Sequence, residues 1–128
     1  MIRFVPLAAV LVIHADLIRE FGGQIGIRDR DLLESALDRA KNLHSYEDAN
    51  LFALAAAYAV GITKNHAFID GNKRAGFLTA YSFLRMNGIE LTAPEEEAVI
   101  VMTGVADGTV DELTLASWFK TYSELASK

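Results

Sequence analysis

The sequence predicts an all-α fold: a compact, single-domain bundle of about six helices with a polar loop between two central helices. Three observations predict it. Apolar residues recur at helical spacing along the chain, as in Leu7, Val10, Leu11, His14, Leu17, Ile18 and Phe21. Helix-ending signals separate these stretches, notably Gly22-Gly23 and Gly88, and Pro94 stands near a helix start. A chain of 128 residues that is 52% hydrophobic makes one domain (residues 1–128) with one real core, without linkers or repeats.

The first helix is expected over about Pro6 to Phe21, with proline in a first turn where its missing N–H costs nothing. His14 falls on its apolar stripe and reads as a packed, hydrogen-bonded structural histidine. Gly22 to Gly26 reads as a glycine-rich turn rather than a dinucleotide loop, because it does not open a helix after a strand. The second helix is placed at about Arg30 to Lys41, with Asp29 as N-cap and Leu32, Leu33, Ala36, Leu37 and Ala40 inward. Asn42 to Asp48 reads as an exposed loop, with His44 a plain surface residue.

The third helix starts after Asp48 and runs to about Lys64; the fourth spans about Gly71 to Asn87. Both are apolar nearly all round, which marks them as the buried central pair. A short extended piece at Ile89 to Leu91 follows. A fifth helix is read at about Pro94 to Ala106, opening on Glu95-Glu96-Glu97, which suits the positive end of a helix. The sixth is read at about Glu112 to Leu125, anchored by Leu115, Trp118, Phe119 and Tyr122, with no sheet of consequence.

Composition excludes several classes. A formal net charge of −5 argues against a protein that coats nucleic acid. The absence of cysteine excludes a disulfide framework and any thiolate metal site or nucleophile, and fits a reducing cytoplasm. Phe4 to Ile13 is almost wholly apolar and follows Arg3, like a short signal peptide, but its helical stripe runs on to Phe21, so it reads as the first helix. No run reaches the ~18 apolar residues of a membrane span.

The polar stretch His66-Ala67-Phe68-Ile69-Asp70-Gly71-Asn72-Lys73-Arg74 lies where the third helix ends and the fourth begins. A helix start presents unpaired N–H groups and partial positive charge, hence an anion site. His66 suits a general base or a cation at a helix end. Asp70 suits a helix cap or a ligand for Mg²⁺, which takes few protein oxygens and several from phosphates. Gly71 serves as a plain turn or lets backbone approach a phosphate. Asn72 is a second capping candidate. Lys73 and Arg74 read as surface charges or phosphate contacts, with Arg74 the better, bidentate clamp. Phe68 is expected to pack inward and pin the loop. Zinc-ligand spacing and a P-loop are both absent.

At these residues the chain resembles the Fic/Doc superfamily, whose pattern is His-x-Phe-x-Asp/Glu-Gly-Asn-Gly-Arg-x-x-Arg. His66, Phe68, Asp70, Gly71, Asn72 and Arg74 match it; Lys73 stands where the pattern has glycine and Phe77 where it has a second arginine. Both departures are similar to the Doc (death-on-curing) branch, although Gly71 is alanine in some of its members. Ile13-His14-Ala15-Asp16, Phe21-Gly22-Gly23, Gly26-Ile27-Arg28-Asp29 and Leu33-Glu34-Ser35-Ala36-Leu37 also look like that branch, so the resemblance covers nearly the whole chain.

The resemblance implies a Fic-like helical core with His66 as general base for a target hydroxyl. It implies Asp70 organising Mg²⁺, and Gly71, Asn72, Lys73 and Arg74 holding the phosphates of ATP. Fic enzymes move AMP; the Doc branch implies a toxin that moves the γ-phosphate of ATP to a threonine of elongation factor Tu and arrests translation. Lys73 adds bulk and charge where a glycine leaves room for two phosphates, a rationale for the kinase over AMP transfer. No Glu is followed by Gly or Asn, as the self-inhibitory Fic helix requires, so an antitoxin acting in trans is implied. An inactive helical interaction module is the reading from another class; the intact His66 and Asp70 speak against it. No nucleic acid or membrane partner is expected.

Overall fold

A computed structural model describes residues 1–47 and 49–125. Among them the order is α1 (Leu7–Phe21), α2 (Arg30–Glu47), α3 (Leu51–Asn65), α4 (Asn72–Met86), β1 (Ile89–Leu91), α5 (Glu95–Asp107), α6 (Glu112–Thr121) and β2 (Ser123–Leu125). The all-α expectation holds, with one two-stranded antiparallel ladder added.

α3 is the centre. Residues Leu54 to Ala59 and Ile62 are fully buried, and the helix packs against α2, α4, α5 and α6. Small side chains let its neighbours close in. A Cβ on Gly76 of α4 would lie 2.6 Å from Thr63 Oγ1 and 2.8 Å from the Ala59 carbonyl, both on α3. A Cβ on Gly61 would lie 3.2 Å from Ala36 Cβ on α2. The larger apolar residues sit around this tight centre: Phe83 and Leu84 of α4 and Leu115 and Phe119 of α6 are buried. The described residues share one core, and no helix among them is long and apolar enough to cross a membrane.

Three element boundaries differ from the sequence expectation. α2 continues to Glu47 instead of ending at Lys41. Leu43 keeps the helical stripe and packs on the core, and His44 is half-buried against Phe4, with ring centroids 5.8 Å apart, rather than a plain surface residue. α3 begins at Leu51, where Asn50 Oδ1 accepts the Ala53 N–H at 2.9 Å. Asp48, where the start was expected, lies outside the described residues. α6 stops at Thr121, not Leu125. The Thr92 N–H and hydroxyl both donate to the Tyr122 carbonyl, and the residues that follow pair with β1, Leu91 opposite Ser123 and Ile89 opposite Leu125. The extended piece at Ile89–Leu91 needed a partner for its backbone groups, and the end of the chain supplies it. Residues 126–128 of the expected domain lie outside the described residues.

Candidate active site

The loop between α3 and α4 begins and ends in left-handed backbone. His66, at the end of α3, has φ 48° and ψ 46°, the only positive φ on a non-glycine among the described residues. Gly71, before α4, has φ 77° and ψ 21°. Between these corners the chain turns back on itself, and contacts from distant segments fix it.

One anchor is the segment before α2. Ile27 forms an antiparallel bridge with Phe68. The N–H groups of Arg28 and Asp29 donate to the Ala67 carbonyl at 2.7 and 3.0 Å, and Ile69 N–H donates to the Gly26 carbonyl at 3.1 Å. The expected glycine-rich turn is thus also a backrest for the loop. As expected, Asp29 caps α2 by accepting the Leu32 N–H at 3.1 Å. The Arg28 side chain reaches the end of α3, donating from Nε to the His66 carbonyl at 2.7 Å and from Nη2 to the Asn65 carbonyl at 3.1 Å.

A second anchor lies beneath. His14 of α1 is 3% exposed and stacks flat on the buried Phe68, with centroids 3.8 Å apart and planes 6° apart. Its Nε2 lies 2.7 Å from the Asp70 carbonyl. A carbonyl only accepts, so Nε2 carries the proton and donates. His14 is the packed histidine the stripe predicted, and Phe68 pins the loop as expected.

The Asn72 amide closes the loop from within. Its Oδ1 accepts the Phe68 N–H and its Nδ2 donates to the Phe68 carbonyl, each at 3.0 Å. Asn72 therefore shapes the loop with its side chain and leaves its own backbone N–H toward the open helix start. The Asp70 carboxylate is exposed; Oδ1 accepts the Gly71 N–H at 2.9 Å and Oδ2 the Gln24 N–H at 3.2 Å. Gly23 has to be glycine here: its φ is 113°, and a Cβ would stand 2.7 Å from Asp70 Oδ2.

The start of α4 is open. Gly71 offers no side-chain cap, and the N–H groups of Asn72, Lys73 and Arg74 have no hydrogen-bond partner among the described residues. The first turn holds no acidic residue; it holds exposed Lys73 and Arg74. The Arg74 guanidinium lies over the Phe21 ring, 4.2 Å from its centroid. Beyond the two cations a cavity of about 420 Å³ runs between α4, β1 and α5, lined among others by Phe21, Phe77, Tyr81 and Met102.

The structure thus brings His66, Asp70, Gly71, Asn72, Lys73 and Arg74 together on one loop and helix start. His66 is exposed, and its ring makes no hydrogen bond among the described residues. Sequence reading missed Phe21, Gly23, Gln24 and Arg28 as neighbours of the site. Among the described residues no three metal-ligand side chains cluster, so a cation here would depend on Asp70 and its substrate.

This is an all-α domain whose central helix junction joins an imidazole and a carboxylate to an uncapped, cation-flanked helix start. The family model of the Fic/DOC family matches residues 4–84, and the chain belongs to that family. It is 40% identical over 75 residues to Toxin Doc of Mycolicibacterium smegmatis, a match spanning 57% of this chain and 58% of that protein. It is 30% identical over 115 residues to Protein kinase doc of Escherichia phage P1, spanning 89% of this chain and 90% of that protein.

Proposed function

We propose that this chain is the toxin of a toxin–antitoxin pair, acting in the cytoplasm as a protein kinase of the Fic/Doc type. In this reading it transfers the γ-phosphate of ATP to a threonine of a translation factor, elongation factor Tu, and so arrests translation. The observation that carries the phosphate chemistry is the start of α4: three N–H groups without partners, with Lys73 and Arg74 where a helix ordinarily places acids. Cations at the positive end of a helix are unfavourable unless an anion sits between them. The names of the two relatives support a toxin and a kinase.

The reaction assigns each residue a task. The Asn72, Lys73 and Arg74 amides and the two side-chain cations bind the phosphates. His66 accepts the proton of the threonine hydroxyl as its oxygen attacks the γ-phosphorus; the bond from that phosphorus to the bridging oxygen breaks, and ADP leaves. The exposed Asp70 fits Mg²⁺, since each of its oxygens accepts one N–H and keeps a lone pair for a cation. Bound Mg²⁺ would neutralise charge on the phosphates. An antitoxin in trans fits the lack of a self-inhibitory Glu-Gly or Glu-Asn sequence.

The test is incubation of the purified chain with bacterial lysate, Mg²⁺ and ATP labelled at either the α or the γ position. Label is expected from γ, on a band identified as elongation factor Tu, and His66→Ala should reduce it by ~10²–10⁴. Label from α would make the chain an AMP transferase. A lysate from a strain whose growth the chain arrests, left unlabelled from either position, would overturn the transferase reading and favour a binding module.

A further inference from the structure

We propose that Arg28 is a positioning residue: it holds His66 in the left-handed conformation that presents the imidazole to the site. This rests on the reading of His66 as the base. One residue engages three successive carbonyls at the end of α3. Arg28 donates from Nη2 to Asn65 at 3.1 Å, from Nε to His66 at 2.7 Å and from its own N–H to Ala67 at 2.7 Å.

Each contact answers a physical need. The last carbonyls of a helix have no partner within it, and a helix end carries partial negative charge, so a guanidinium is favoured there. Its rigid planar fork spans two adjacent carbonyls, as an ammonium cannot. Left-handed backbone is disfavoured for any residue with a Cβ and persists where its surroundings enforce it. His66 is the one non-glycine held so among the described residues. Relaxation of φ at His66 to the right-handed or extended region would redirect Cα–Cβ and carry the ring off the loop.

The support around Arg28 is itself fixed. The bridge from Ile27 to Phe68 and the bond from Asp29 N–H to the Ala67 carbonyl hold the Arg28 backbone alongside the loop. Asn65 Nδ2 donates to the Leu32 carbonyl at 3.0 Å, tying the end of α3 to α2. The Arg28 side-chain contacts are exposed, so its truncation leaves no core cavity and the backbone anchors remain.

The experiment compares wild type, Arg28→Ala and Arg28→Lys in the full chain, with steady-state transfer kinetics and NMR couplings that report φ at His66. Arg28→Ala is expected to fold, keep KM for ATP within about twofold, and lose kcat by about ten- to a hundredfold. The couplings should show φ at His66 averaging between positive and negative values. Arg28→Lys keeps the charge without the fork and should stay well below wild-type kcat. In a His66→Ala background, Arg28→Ala should lower residual transfer no further. Unchanged kcat with unchanged φ in Arg28→Ala would overturn the proposal while leaving the base assignment intact. Full activity in Arg28→Lys would overturn the fork. Wild-type transfer by His66→Ala would overturn the base assignment instead, and the clamp would then stand or fall on φ alone.

Discussion

The first turns of α3 and α4 follow opposite rules. α3 opens behind Asn50, whose Oδ1 takes the Ala53 N–H, and α6 opens the same way behind Asp111, which accepts the Thr114 N–H at 2.8 Å. α4 opens behind Gly71, with no side-chain acceptor and two cations in place of acids. A side-chain cap satisfies a helix start permanently; an empty start keeps its N–H groups for something that comes and goes. α1 and α5 also lack a side-chain cap, but only α4 combines an uncapped start with two cations in its first turn, the combination on which the proposed phosphate site rests.

The largest expected effect comes from giving α4 the charge a helix start ordinarily has. Lys73→Glu should weaken ATP binding by about tenfold or more while raising the stability of the free protein by about 0.3–1 kcal/mol. Titration calorimetry and urea unfolding read the two together. Unchanged ATP affinity with lower stability would remove the contrast between the two helix starts.

Next is Gly71→Ala, which puts a Cβ on left-handed backbone 2.8 Å from Leu17 Cδ1. A loss of about 1–2 kcal/mol in unfolding free energy is expected. A variant as stable as wild type would show that the corner is not held left-handed. Asn50→Ala, at the capped start, should cost about 1 kcal/mol and leave transfer activity as it was. A comparable loss of activity there would mean that α3 transmits more than support.

The smallest effect is a pH dependence at the other capped start. The Thr114 backbone N–H, then its hydroxyl, holds the Asp111 carboxyl below its ordinary value. The ionised form is thus favoured in the folded chain. The resulting stability is present above the unfolded carboxylate pKa and is lost as pH falls through the folded one. Urea midpoints of wild type should therefore fall more steeply on acidification below about pH 4 than those of Asp111→Asn. Parallel curves would contradict the cap.

Helices were legible wherever local spacing decided them, and α1, α4 and α5 end within one residue of expectation; the ends of α2 and α6 were not legible. Asn42 to Glu47 looks polar in sequence, yet Leu43 and His44 continue the stripe of Leu33, Ala36, Leu37 and Ala40, and packing carries α2 through. Ser123 to Leu125 extends a good helical pattern and still becomes a strand, because its partner lies at Ile89 to Leu91 and no local window contains both. The site divides in the same way. His66 to Arg74 could be read because its groups are contiguous. His14 and Arg28 act across 56 and 38 positions of sequence, so the stripe gave His14 only as core, and Arg28 stood out only within a segment of the family resemblance, with no role attached. Asn72 was read as a cap or, from the resemblance, a phosphate contact; its side-chain amide bonds both backbone groups of Phe68 and leaves only its backbone N–H for the helix start.

Those long separations also govern when the site comes into being. The two helices that flank the loop are neighbours in sequence and can meet early, but the loop takes its shape only after α1 brings His14 under Asp70 and the residues before α2 run alongside Ala67 to Ile69. Such closures span long stretches of chain, and their entropy is recovered only once the native contacts form. A ribosome-bound chain still short of α4, or a fragment cut between α1 and α2, thus carries part of the motif's supports without a working site. The loop is therefore a product of the whole fold rather than of its own nine residues, and the proposed chemistry requires α1 and the segment before α2 as much as the motif itself.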